Sequence, residues 1–320
     1  MRNTLRIILL VAIIIFIGTG IYVFGQSRSQ GQNATDGLQV SASFYPMAYF
    51  ASEIGGDNAS VKTITPSGVE PHDFEPTAQD IAAIQSGKLL VLNGIGFEPW
   101  YAGIANDLKQ SNTQVVQAGE GLDLLEGIEE DHGAEETEEN HEEVISDPHV
   151  WLSPVLAQQQ VIKIRDGFIA ADPANETMYV ANADALTKRL QQLDTQYKDG
   201  LQTCQSKNIV TSHTAFAYLA REYGLNQVAI AGLSSSQEPS TQELAEVATF
   251  ARENDVKYIF FESLVSPRLA ETIANEIGAQ TLVLDPLEGI PDDEIEQGKN
   301  YFTVMEDNLE NLQTALVCSK

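Results

Sequence analysis

The sequence is poor in cysteine and in basic residues. Two Cys in 320 residues exclude a small scaffold held together by several disulfides. Only 18 Lys and Arg stand against 46 Asp and Glu, a formal net charge of −28, so nucleic acid is excluded as a natural partner. The length allows a large core and favours one two-lobed body or two domains. Cations are easier partners than anions for a chain with this negative charge.

Long apolar runs are absent except at the start of the chain. Met1–Phe24 places Arg2 and Arg6 before an uncharged apolar stretch of about the 20 residues that span a bilayer. We interpret residues 1–25 as an export segment, either a signal peptide cut after Gly25 or a retained transmembrane anchor. No Cys lies near its end, which argues against a lipidated N-terminus. Residues 26–37 are predicted to be a flexible tether. The body would lie outside the cytoplasm, either in a periplasm or anchored to the outer face of the cytoplasmic membrane.

Cys204 and Cys318 are the only thiols. In an exported chain an even count permits one disulfide, here closing a loop of more than a hundred residues, whereas two separate buried thiols are the alternative. Their sequence distance from the histidines does not fit a zinc finger.

Short β-rich runs alternate with helical patterns from Leu38 onward, as is typical of parallel α/β units. We predict an N-terminal α/β lobe at 38–173, a connecting helix at 174–203 and a C-terminal α/β lobe at 204–320. The connector reads ETMYVANADALTKRLQQLDTQYKDGLQ, with apolar residues at helical spacing. Such a helix would be stiff and would limit relative motion of the lobes to a small tilt. Ser240–Glu243 (STQE) matches a capping box and predicts a helix start. Another helix is predicted from about Thr214, after the strand pattern NIVTS.

One stretch breaks this pattern. Glu126–Asp147 is crowded with Asp and Glu, contains His132 and His141, and has no Lys or Arg. It cannot bury enough apolar surface to order itself, so a mobile acidic loop is expected. It would be a solvating insertion or an auxiliary low-affinity collector of cations.

The other three of the five histidines are His72, His149 and His213. Each lies on a strand-to-helix connection or an equivalent loop, and Asp285 follows the last predicted strand. Such connections line the ligand crevice of open parallel sheets. A site of three imidazoles and one carboxylate suits Zn²⁺, while more carboxylates would suit Mn²⁺. Spacing alone does not show that these four residues converge.

Several motifs together resemble the metal-binding family of ABC-transporter solute-binding proteins, which includes periplasmic zinc-uptake proteins and manganese-binding lipoproteins. The resemblance runs from Leu38 to the C-terminus. The motifs are GVEPHDFEPTAQD, DPHVWLSP, TSHTAFAYLA, GLSSSQEPS and FFESLVSPRLAETIANEIGAQTLVLDPLEG.

The resemblance implies two Rossmann-like lobes joined by one long rigid helix, with a metal in the cleft between them. It implies His72, His149, His213 and Asp285 as ligands and a membrane permease as partner of a monomeric, non-enzymatic protein. Manganese binders of the family usually have Glu at the position of His213, so Zn²⁺ is the expected ion and Mn²⁺ the alternative. Three further glutamates are expected to support the site from outside the four ligands: Glu70, Glu238 and Glu262. The alternative for each is an ordinary loop carboxylate.

A zinc hydrolase and a surface adhesin or metal-storage protein are the alternative functional classes. A zinc hydrolase would need an open coordination position, and the sequence has neither H-E-x-x-H nor G-x-S-x-G. A triad of Ser212, His213 and Asp285 is disfavoured because neighbouring residues of a strand point to opposite faces. A surface adhesin or a metal-storage protein would have the same fold but a different role. The sequence does not distinguish either of these roles from metal uptake.

Overall fold

The computed structural model describes residues 37–127 and 145–319. The predicted export segment, nearly all of the tether, and His132 and His141 lie outside the described residues. Within the described part, no helix combines the length and apolar character needed to cross a bilayer.

The first half is built around a four-stranded sheet with strand order β2-β1-β3-β4, in which every neighbouring pair is parallel. The strand β3 (LLVL) is buried along its whole length, as expected for a parallel sheet covered on both faces. The strands are β1 Leu38–Ala42, β2 Ala59–Thr63, β3 Leu89–Leu92 and β4 Gln114–Gln117, and the helices are α1 Tyr45–Gly55, α2 Ala78–Ser86 and α3 Tyr101–Gln110.

The acidic insertion begins and ends in a short antiparallel pair, β5 Glu126–Gly127 with β6 Ile145–Ser146. Asp147, which the sequence assigned to the mobile loop, is instead buried and only 1% exposed. Its amide N–H donates to the carbonyl of Leu125. Asp147 therefore belongs to the folded body, together with the histidine of the DPH motif.

A long helix joins the two halves, as predicted. α4 (Pro154–Ala171) leads into α5 (Glu176–Leu201), which has 26 residues and lies within the predicted range 174–203. One core cluster contains side chains of both sheets and of α5. The apolar positions read from the sequence are all buried: Tyr179, Leu186, Leu190, Leu193 and Tyr197.

The second half repeats the architecture around a parallel sheet of order β10-β9-β7-β8. The helix expected from about Thr214 begins at Ala217, because a tight turn in which the Ala215 N–H donates to the His213 carbonyl precedes it. The strands are β7 Asn208–Thr211, β8 Asn226–Ala229, β9 Tyr258–Phe261 and β10 Gln280–Val283, and the helices are α6 Ala217–Tyr223, α7 Thr241–Glu253, α8 Arg268–Ile277, α9 Asp292–Glu296 and α10 Tyr301–Ala315.

Two local predictions can be located in this half. The capping box at Ser240 is present, with the hydroxyl accepting from the Glu243 N–H and the Glu243 carboxylate accepting from the Ser240 N–H. Cys204 and Cys318 form a disulfide that joins the chain just after α5 to the chain just after α10. Two parallel α/β halves and one long connecting helix confirm the expected fold class.

Candidate metal centre

The site is formed where strands of both sheets end. His72 lies on the loop between β2 and α2, and His149 lies just before a 3₁₀ turn that leads into α4. His213 comes two residues after β7, and Glu288 lies on the loop after β10. The carboxyl ends of parallel strands point to the same edge of a sheet, which is why residues so distant in sequence can meet.

These four side chains converge closely. One ligand atom from each of His72, His149, His213 and Glu288 lies within 4.8 Å of the other three. Their Nε2 atoms are 3.3 Å apart for His72 and His149, and 3.3 Å apart for His149 and His213. Oε1 of Glu288 is 3.3, 3.4 and 3.3 Å from the three Nε2 atoms in chain order.

This spacing corresponds to one small tetrahedral ion. Zn²⁺ with bonds of about 2.0–2.1 Å to four ligands holds neighbouring ligand atoms about 3.3 Å apart. The donor set of three imidazole nitrogens and one carboxylate oxygen also suits zinc, because zinc takes N and O ligands without a strong geometric demand of its own. The residues present therefore fit a zinc ion as cargo.

His149 is oriented by a carboxylate that the sequence did not single out. Its Nδ1 lies 2.7 Å from Oδ1 of Asp147, and the same oxygen accepts from its backbone N–H. Burial would lower the pKa of His149, but the carboxylates of Asp147 and Glu288 outweigh it and raise the pKa. A proton held on Nδ1 leaves the Nε2 lone pair directed toward the ion.

His213 has the same arrangement, with Glu262 as its carboxylate. The side chain of Glu262 is buried, and its Oε1 lies 2.6 Å from Nδ1 of His213. Burial opposes the charged imidazole, yet Glu262 and Glu288 together hold the pKa of His213 well above its usual range. Glu262 thus contacts the ring nitrogen of His213 that is not directed at the other histidines.

His72 is the accessible member of the group. Its side chain is 11% exposed, whereas those of His149 and His213 are fully buried. Burial lowers its pKa despite the neighbouring Glu288 carboxylate. Its ring contacts Phe97 edge to face, with 4.7 Å between centroids. Solvent therefore reaches the site on the side of His72.

Glu288 provides the negative charge at the centre of the site. It is 2% exposed, and burial alone would raise its pKa. The three imidazoles, His213 foremost, hold that pKa well below the usual range. The carboxylate is accordingly ionised and suited to a cation.

Asp285, the fourth ligand expected from the sequence, lies outside this group. Its Oδ2 is 2.5 Å from the hydroxyl of Ser263 and its Oδ1 accepts from the Leu287 N–H at 2.7 Å. Burial raises its pKa to about 6. Glu288, three residues further along the same loop, takes the position in the group that was predicted for Asp285.

The other two outer candidates differ from each other. Glu70 accepts from the His72 backbone N–H and from the Ser235 hydroxyl, and burial beside Glu288 raises its pKa to about 7. Glu238 is exposed and lines a surface cavity of about 540 Å³ beside α7. Among the described contacts, Glu70 touches the backbone of the His72 loop and Glu238 touches no site histidine.

Sequence reasoning missed Glu288 and Asp147. Glu288 was within the quoted motif TLVLDPLEG, but nothing in the spacing distinguishes it from Asp285. Asp147 stands two residues before His149, which is the kind of signal that a search for short Asx-type contacts would have found. Four converging groups would fill the four positions around a tetrahedral ion, whereas a zinc hydrolase needs one position left open.

Comparison with known proteins agrees with this geometry. Residues 40–315 match the family described as ZnuA, zinc-uptake complex component A periplasmic. The high-affinity zinc uptake system protein ZnuA of Bacillus subtilis is 43% identical over 295 residues, which is 92% of each chain. The zinc-binding lipoprotein AdcA of Streptococcus pneumoniae is 39% identical over 283 residues, 88% of this chain but only 56% of that longer protein.

Solved structures show the same likeness. The Zn(II)-bound ZnuA-like domain of Streptococcus pneumoniae AdcA superposes with a TM-score of 0.75 at 37% identity, covering 88% of this chain and 99% of that one. The laminin-binding protein Lmb of Streptococcus agalactiae, described as bifunctional with adhesin and metal-transporting activity, gives 0.75 at 35% identity, covering 88% and 100%. With a family match over most of its length and a convergent His₃Glu cluster, the chain belongs to the ZnuA family of metal-binding solute-binding proteins.

Proposed function

We propose that this protein captures Zn²⁺ outside the cytoplasm and delivers it to an ABC-type importer. The observation that carries the proposal is the set of four buried or nearly buried ligand atoms at the spacing of a tetrahedral zinc ion. We assign His72, His149, His213 and Glu288 as the ligands, with Asp147 and Glu262 orienting two of the imidazoles. One relative named for zinc uptake and another named for zinc binding support the same cargo.

The two halves of the molecule each contribute two ligands. His72 and His149 come from the first half, and His213 and Glu288 from the second. A bound ion therefore stabilises the closed arrangement, and a membrane permease that separates the halves would release it. Protonation of the imidazoles assists release at low pH, because a metal-bound nitrogen must be deprotonated.

Capture for transport fits better than storage. In the described part of the chain one group of metal-binding side chains is present, whereas storage needs many weak sites. Manganese as cargo is disfavoured because the ligands are three imidazoles and a single carboxylate. A laminin-binding relative keeps adhesion as a second role to be tested, although no described residue argues for it.

The test is metal content and competitive affinity of the purified protein, wild type and His213→Glu. We expect one zinc per chain in the wild type, and a weaker zinc complex with a shift toward manganese in the variant, since a carboxylate replaces a buried imidazole. Glu238→Gln is the matched control, because it alters an exposed carboxylate outside the site. Wild-type protein that holds no zinc, or a variant with unchanged preference, would contradict the proposal.

A further inference from the structure

The loop after β10 carries two carboxylates with different surroundings, and the difference assigns a role to Asp285. Glu288 faces three imidazole nitrogens at 3.3–3.4 Å. Asp285 has both oxygens engaged within the protein, Oδ2 by the Ser263 hydroxyl and Oδ1 by the Leu287 N–H. An oxygen that already accepts a short hydrogen bond is a poor candidate for a metal ligand, but it is well placed to determine the path of the loop.

Two side chains from other parts of the fold hold the backbone of this loop. Asn308, a buried residue of α10, accepts from the Asp285 N–H at 2.8 Å and donates to the Asp285 carbonyl at 2.7 Å. The indole N–H of Trp151 donates to the Pro286 carbonyl at 2.8 Å. Trp151 lies two residues after His149, so this bond connects the segment that carries one ligand to the loop that carries another.

Leu287 makes the sharp bend that this loop requires. Its φ is +59°, in the left-handed region that a branched L-residue rarely adopts, and its side chain is completely buried. Such a conformation persists only where surrounding contacts hold it. The hydrogen bond from the Leu287 N–H to Asp285 is one of those contacts, and the next residue along the chain is Glu288.

We infer that Asp285 is a positioning residue of the metal site: it holds Leu287 in the left-handed bend that aims Glu288 at the ion, and it does not bind the ion itself. The inference rests on the proposed zinc-binding function and deepens it. It accounts for a half-buried carboxylate on the same loop as Glu288 whose two oxygens both accept from protein donors.

The experiment compares Asp285→Asn with Asp285→Ala. An asparagine Oδ1 can accept from the Leu287 N–H, and its Nδ2 can donate to the Ser263 hydroxyl, so we expect wild-type zinc affinity. Alanine removes the acceptor, and we expect a loss of about 10–100-fold, the usual cost of losing a group that orients a ligand. Zinc affinity is measured by competition with a chromophoric chelator. Asp307→Ala, which removes an exposed carboxylate next to Asn308, is the control and should leave affinity unchanged.

A second readout separates positioning from general stabilisation. Co²⁺ replaces zinc, and its absorption spectrum reports the coordination geometry. We expect Asp285→Ala to change this spectrum and Asp285→Asn to preserve it, whereas loss of stability alone would lower the unfolding temperature and leave the spectrum as it is. Equal losses in Asn and Ala variants, matching that of Glu288→Gln, would make Asp285 a ligand and overturn the inference. Unchanged affinity in both variants would overturn it too, while a wild type without zinc would overturn the proposed function first.

Discussion

At the residue scale, the metal site depends on side chains that lie one layer behind the ligands. Asp147 and Glu262 each bind the Nδ1 of a buried imidazole, at 2.7 and 2.6 Å. This contact selects the tautomer with a free Nε2 and fixes the plane of the ring. Of the two, Glu262 was expected from the sequence and Asp147 was not, because it was grouped with the acidic insertion.

We expect Glu262→Gln and Asp147→Asn each to weaken zinc binding by about 10–100-fold. The amides keep the size of the side chain but can present an N–H to Nδ1, which favours the tautomer whose Nε2 carries the proton. The measurement is chelator competition, with the stoichiometry of bound zinc checked in parallel. Affinities equal to that of the wild type would show that the imidazoles are oriented by packing alone.

At the element scale, the first residue of a helix was predicted correctly where its capping residues are close together in sequence. The helix α7 begins after Ser240, as the STQE pattern predicted, since both hydrogen bonds of a capping box form between residues only three apart. The helix after His213 was expected three residues too early. There the turn is fixed partly by a contact within the loop, from the Thr211 hydroxyl to the His213 carbonyl.

Loss of the α7 cap should reduce stability without affecting the site. We expect Ser240→Ala to lower the free energy of unfolding by about 1 kcal/mol, because the Glu243 N–H loses its acceptor at an exposed helix end. Denaturant unfolding of the metal-free protein measures this change. Zinc stoichiometry should stay the same, and Ser86→Ala, whose hydroxyl bonds only the carbonyl of Ala83, is the control.

At the scale of the whole molecule, the two halves are joined by hydrogen bonds beside the site as well as by the connecting helix α5. The Tyr301 hydroxyl donates to the Trp151 carbonyl at 2.6 Å, and the Tyr197 hydroxyl of α5 donates to the Met305 carbonyl of α10 at 2.7 Å. With Trp151 also donating to Pro286, buried bonds link the first half, the connecting helix and the second half. A wide hinge opening would break several of them at once.

We therefore expect zinc to close the molecule by a small tilt. Solution scattering with and without zinc should give nearly the same radius of gyration, and Glu288→Gln with zinc added should match the metal-free protein. A large rotation of one half against the other on metal removal would contradict this prediction.

Zinc should also raise the unfolding temperature in a concentration-dependent way, since it binds the folded state preferentially.

The sequence by itself determined the alternation of strands and helices, the presence of a long connecting helix and the three histidines on loops. These are features of local periodicity and of short-range capping, which one sequence displays. The fourth member of the His₃Glu group was decided by tertiary structure. Asp285 and Glu288 stand on one loop, and only the left-handed bend at Leu287, supported by Asn308 and Trp151, directs the glutamate inward. Those contacts join residues far apart in the chain, so no local pattern records them.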